Sequence, residues 1–229
     1  MNNVNDFFKT DLQPMPIWAT LAEQKMDLWE QGIAEGVSTG FKSLDDFFML
    51  VDKEVTTIAA RPSMGKTALG MQIVENVARD IQRRGANECV TVFSAEMSGW
   101  SLLHRMAGAL AGVNVSDLRK AKGTPGDYGK MRQALHDVRD LPIWIDDGSG
   151  PTTDLMYERI ARLQETIDVR LMLFDFLELG GNRGQTEELR ISKIIIALKD
   201  LAKGLGIPVI ALSQVNRGVE NRGNKMPTL

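Results

Sequence analysis

The 229-residue sequence has one cysteine, two histidines, and no long apolar run. The lone thiol, Cys89 in CVTVFS, cannot close an internal disulfide; that fits a reducing cytoplasm and leaves core packing as its role. His104 and His136 stand in helical patterns without metal-ligand spacing, so no zinc site is expected. No stretch approaches the roughly 18 apolar residues that span a bilayer. The acidic, polar N-terminus does not read as a signal peptide, so a cytoplasmic protein away from membranes is expected. Positive charge is also short: 27 Lys and Arg against 30 Asp and Glu give a net charge of −3. A free-standing nucleic-acid-binding domain is usually basic. Either the protein leaves nucleic acid alone, or its basic groups are gathered on a small surface such as the inside of a ring.

What is present is an ordinary globular composition, 43% hydrophobic and 25% charged. The length suffices for one large domain or two small ones with a buried core. Pro14 and Pro16 bracket the start of a helix over 16–31, PIWATLAEQKMDLWEQ, with Ile17, Trp18, Leu21, Leu28 and Trp29 near one face and Gly32 as a stop. Such a helix either folds back on its own core or docks on a neighbouring copy. Ser43, with Asp46 three residues on, reads as the cap of a short helix. Strand-like runs follow at 55–60, 89–94, 142–146, 170–177 and 208–214. Helical patterns cover about 66–82, 99–111, 125–139, 153–166 and 187–204. Thr124-Pro125 and Thr152 mark helix starts, and Gly206-Ile207-Pro208 marks a stop. Apolar strands each followed by a helix imply an α/β fold with a mainly parallel sheet covered on both faces. No internal repeat is present, and 181–189 and 216–227 are the most loop-like stretches beyond the sheet edge.

The stretch ARPSMGKT, 60–67, fits the phosphate-loop pattern, with Ala60 where the first glycine usually stands. Its position between a strand and a helix is the context in which that motif works. Main-chain amides of Arg61, Ser63 and Met64 onward would curl around phosphate oxygens, with Pro62, which has no N–H, contributing only its backbone shape. Gly65 permits close approach, and the helix N-terminus through Ala68 adds partial positive charge. Lys66 would reach the β- and γ-phosphates of ATP, and the Thr67 hydroxyl would ligate Mg²⁺. Asp175 closes the apolar run LMLFD, where a carboxylate is costly unless it is paired or near a cation. It suits the magnesium-side acid of phosphate-loop enzymes. Glu96, at the end of VTVFSAE, lies where such sheets open a ligand crevice. It either polarises the water that attacks the γ-phosphate or belongs to the turn before the helix that Ser98 caps. Gln214, ending PVIALSQ, either senses the γ-phosphate or hydrogen-bonds a turn.

Taken together, VSTGFKSLDDFF, AARPSMGKTALGMQIVENVA, FSAEMS, LMLFDFLEL and IPVIALSQVNR resemble, in order and spacing, the motor domain of DnaB-type replicative helicases, from about Gly32 to about Pro227. The resemblance implies a RecA-like fold preceded by a linker helix (16–31), with the ATPase domain over 33–229. It implies hexameric rings around single-stranded DNA with ATP between subunits. It assigns Lys66 and Thr67 to phosphate and Mg²⁺, Glu96 to the catalytic base, Asp175 to the metal and Gln214 to γ-phosphate sensing. It implies that the linker helix packs on the next protomer, and that channel loops bearing Arg183, Gly184, Arg217, Arg222 and Lys225 contact DNA. A few charges repeated around a ring would then reconcile acidic composition with DNA binding. Three departures accompany it. The resemblance does not extend to the family's N-terminal helical domain, which meets primase and the helicase loader and has no counterpart in these 229 residues. Glu178 stands where glutamine is expected. The sequence stops at Leu229, before the family's arginine finger, with Arg217 and Arg222 as candidates by default. A fragment of a longer chain is therefore expected. A nucleotide-gated adaptor that does not unwind DNA and a RecA- or RadA-like recombinase are the competing readings.

Overall fold

The computed structural model describes residues 12–148, 150–175 and 187–214. The chain divides into two compact units, Met1–Glu35 and Gly36–Leu229. In the first, α1 (Met15–Glu30) starts after Pro14, with a second proline in its first turn, and ends before Gly32, whose φ of +76° a side chain would resist. None of the residues of α1 is buried.

The second unit is built on five parallel strands in the order β1-β5-β4-β2-β3. They are β1 (Val55–Ala60), β2 (Glu88–Ser94), β3 (Ile143–Asp146), β4 (Asp168–Asp175) and β5 (Val209–Gln214). Each lies within two residues of its sequence expectation, residues 176–177 of the fourth run lying outside the described residues. Successive side chains of a strand point to opposite faces, and the core divides accordingly. Val90 and Val92, Leu171 and Leu173, and Ile210 and Leu212 pack with α3 (Lys66–Arg84) and α4 (Gly99–Ala111). Cys89 and Phe93, Met172 and Phe174, and Val209 and Ala211 pack on the other face with α7 (Thr153–Gln164) and α8 (Glu187–Leu205). Strands apolar on both sides are therefore buried on both sides, as continuous apolar runs require.

The helix starts at Thr124 and Thr152 form as read. Thr124 and Asp127 make a reciprocal capping box at α6 (Pro125–Val138), and the Thr152 hydroxyl accepts from the Leu155 amide. The structure changes the picture at two places. The short α2 (Lys42–Asp45) begins after Phe41, so Ser43 lies inside the helix and caps nothing. Asp45 takes the polar role there: its carboxylate accepts from the Ser38 hydroxyl and from the amide and hydroxyl of Thr39, tying the preceding turn. The other change is an addition, α5 (Val115–Arg119), a five-residue helix absent from the sequence expectations, which periodicity cannot reveal. The Asn114 side chain caps it, and its Arg119 guanidinium lies 5.0 Å over the Trp100 ring of α4.

Candidate nucleotide site

All five strands run the same way, so Ala60, Ser94, Asp146, Asp175 and Gln214 end together at one edge of the sheet. Ala60 pairs with Gln214 and Ser94 with Asp175 in the strand register. Strand β1 and the strand carrying Asp175 are separated by β5 alone, a gap of roughly 10 Å at ordinary strand spacing.

Residues 61–65 are an exposed loop between β1 and α3. Ser63 has φ +63° and Gly65 φ +87°, so the chain enters the left-handed region twice in three residues. That alternation curls successive amides toward one side, the geometry of an anion nest. A Cβ added at Gly65 would meet nothing within 4 Å. Glycine is required there by its φ, and the space beside it is open to a ligand. At Gly70 the constraint is packing: a Cβ would approach Leu173 and Leu212 side chains to 3.2 Å. The first turns of α3 can therefore sit low over β4 and β5.

That close seating brings α3 to Asp175. The Thr67 hydroxyl donates to Asp175 Oδ2 at 2.9 Å, and Lys66 Nζ lies 3.5 Å from Asp175 Oδ1. The Asp175 side chain is 1% exposed and that of Lys66 10%. A buried carboxylate requires compensation. Oδ2 has its hydrogen bond, while Oδ1 accepts none among the described residues. An inward-facing carboxylate oxygen beside a threonine hydroxyl is a hard-oxygen donor pair of the kind magnesium takes. The residues thus fit Mg²⁺.

Glu96 is exposed in the bend between β2 and α4, and Gln214 is exposed at the end of β5. Both lie on the edge that carries the phosphate loop. Arg61, Pro62, Met64 and Ala68 are exposed around the loop. Arg183, Gly184, Arg217, Arg222, Lys225 and Glu178 lie outside the described residues. Sequence reasoning missed two groups, Ser94 and Asp147, which tie down the Glu96 bend. The Ser94 contact spans only three residues, to Met97, but carries no motif that marks it, while Asp147 reaches Gly99 across 48 residues that no local pattern connects.

A parallel sheet with a phosphate loop after β1 and an acid two strands away defines a RecA-like phosphate-loop nucleotide-binding fold. Residues 36–229 match the family described as DnaB-like helicase C terminal domain, and the chain belongs to that family. It is 37% identical over 202 residues to replicative DNA helicase DnaB of Geobacillus stearothermophilus, covering 86% of this chain and 43% of the relative. Replicative DNA helicase DnaC of Bacillus subtilis is 35% identical over 203 residues, covering 87% and 44%. The chain thus spans less than half the length of these curated relatives. Among solved structures, the ATPase domain of G40P superposes with a TM-score of 0.79 at 26% identity, covering 96% of this chain and 77% of that one. A DnaB-like replicative helicase, described with its interactions with primase, gives 0.77 at 26% identity, covering 96% and 52%.

Proposed function

We propose that this chain is the ATP-hydrolysing motor of a replicative DNA helicase, working as a hexameric ring that translocates on single-stranded DNA. The convergence of Lys66, Thr67 and Asp175 beneath the phosphate loop carries the reading, together with family membership. The loop amides from Arg61 through Ala68, Pro62 excepted, would hold the phosphates, with Lys66 drawing the γ-phosphate oxygens. Thr67 and Asp175 would hold Mg²⁺, directly or through its water shell, and the bound ion would neutralise charge developing on the phosphate oxygens.

Glu96 would accept a proton from the attacking water as its oxygen bonds to the γ-phosphorus and the bond to the bridging oxygen breaks, releasing ADP and phosphate. Lost general-base catalysis is worth about 10²–10⁴-fold. Gln214, at the end of the strand between the phosphate loop and Asp175, would contact the γ-phosphate and pass its loss to the segment that follows. Arg183, Gly184, Arg217, Arg222 and Lys225 are proposed to contact DNA phosphates on the strength of the resemblance. Helix α1, with none of its residues buried, is proposed to dock on the next protomer. A helicase loader and primase are proposed as further partners on the strength of the resemblance.

The test is steady-state ATP hydrolysis with and without single-stranded DNA. Stimulation by DNA supports the motor. Nucleotide binding without DNA-responsive turnover would instead favour the adaptor reading, and filaments rather than rings in electron micrographs would favour the recombinase reading.

A further inference from the structure

We infer that Ser94 and Asp147 are positioning residues for Glu96, pinning from both sides the bend that carries it. The inference rests on the role proposed above for Glu96. Strand β2 ends at Ser94 and α4 begins at Gly99, so the chain passes from sheet to helix in four residues. Ser94 is 1% exposed and lies in register with Asp175, so the sheet fixes its position. Its hydroxyl donates to the Met97 carbonyl at 2.7 Å and accepts from the Met97 amide at 3.1 Å. A hydroxyl has one proton to give and lone pairs to receive with, so one small side chain holds both polar groups of Met97. At the start of the bend, the Ala95 amide donates to the Asp175 carbonyl at 2.7 Å.

The far end is tied from another strand. The Gly99 amide, first in α4, donates to Asp147 Oδ2 at 2.9 Å. Asp147 immediately follows β3. Ser98 occupies the cap position without a side-chain cap bond. The neighbouring strand therefore supplies the acceptor that the orphan amide needs, and the negative charge that a helix N-terminus favours. Glu96 sits between the two ties, its side chain exposed at the sheet edge. Proton transfer from an attacking water demands near-contact geometry, and misplacing a group by about 1 Å can cost about a hundredfold. The ties leave the bend little freedom to swing Glu96 away from the phosphate loop.

The experiment is single-turnover ATP hydrolysis on the full chain, with affinity for a fluorescent non-hydrolysable ATP analogue measured separately. The variants are Ser94→Ala, Asp147→Ala, Asp147→Asn, Glu96→Gln and the Ser94→Ala/Glu96→Gln pair. Ser94→Ala and Asp147→Ala should each slow hydrolysis about ten- to a hundredfold, with analogue affinity held within about twofold. Asp147→Asn keeps an oxygen acceptor for Gly99 and should recover most of the rate. Adding Ser94→Ala to Glu96→Gln should cost nothing more, because the positioned group is already gone. If Ser94→Ala does not fold, Asp147→Ala, at an exposed position, carries the test. Slow Glu96→Gln with parental rates in Ser94→Ala and Asp147→Ala would overturn the positioning role alone. Parental turnover by Glu96→Gln would overturn the assignment of Glu96 and the inference with it. Rate and analogue affinity falling in parallel would reduce the pair to a structural role and overturn it.

Discussion

Thr67, in the first turn of α3, donates a 2.9 Å hydrogen bond to Asp175 at the end of β4, across 108 residues of sequence. That bond ties the phosphate loop to a strand two places away and leaves the other Asp175 oxygen facing Lys66 at 3.5 Å. Without nucleotide, Lys66 offsets a buried negative charge. In the proposed nucleotide complex the same cation would turn to the phosphates, and Asp175 would then face magnesium instead.

Lys66→Ala should therefore do two things: abolish nucleotide binding and destabilise the nucleotide-free fold. Stripping the cation from a buried carboxylate costs about 3–5 kcal/mol. The double variant K66A/D175N should regain part of that stability while still failing to bind. Urea unfolding of the two proteins checks the claim, and equal midpoints would contradict it.

Ser63 holds φ +63° in the loop. A β-branched side chain is a poor fit to that region, at about 1–2 kcal/mol. Ser63→Val should weaken binding of an ATP analogue about tenfold, whereas Ser63→Gly should bind like the parent. Fluorescence titration separates them.

Asp127 titrates below the usual carboxylate range because the Thr124 hydroxyl and then the Thr124 amide donate to it. A depressed folded pKa adds stability above the unfolded value, about 3.9. That contribution is lost as pH falls through the folded pKa. The stability gap between parent and Asp127→Asn should be widest near neutrality and close below about pH 4. Denaturation midpoints from pH 7 to pH 3 measure it, and a gap independent of pH would contradict it.

Cys89 is fully buried, and burial, with the nearby Asp168 charge, pushes its thiol up to about 11. A buried neutral thiol is a poor nucleophile. At pH 8 a disulfide reagent should modify Cys89 only at the rate of unfolding, with the rate rising across the urea transition. Immediate labelling of folded protein would refute this.

Much of this architecture is legible in the sequence because its strands are apolar on both faces and its helices carry explicit starts. Thr124-Pro125 and Thr152 are local signals, and the phosphate loop is a local motif, so all three appear where they are read. Asp175 is legible because a carboxylate ending an apolar run needs a cation. Three things are not local. The strand order, with β5 between β1 and β4, follows from crossovers that no window of residues contains. Asp147, just past β3, caps α4 from 48 residues away, whereas the local sequence points to Ser98 as the cap. The turn held by Asp45 draws on Ser38 and Thr39, which precede the helix whose start the local pattern places at Ser43.

The central claim is that a nucleoside triphosphate and magnesium are held jointly by the phosphate loop, Thr67 and Asp175. Isothermal calorimetry with a non-hydrolysable ATP analogue, in magnesium and again in excess chelator, tests it most directly. The account predicts saturable binding near one nucleotide per chain, clearly tighter with magnesium, with the magnesium dependence lost in Asp175→Asn. Absence of binding heat from folded protein, or affinity indifferent to magnesium, would contradict it.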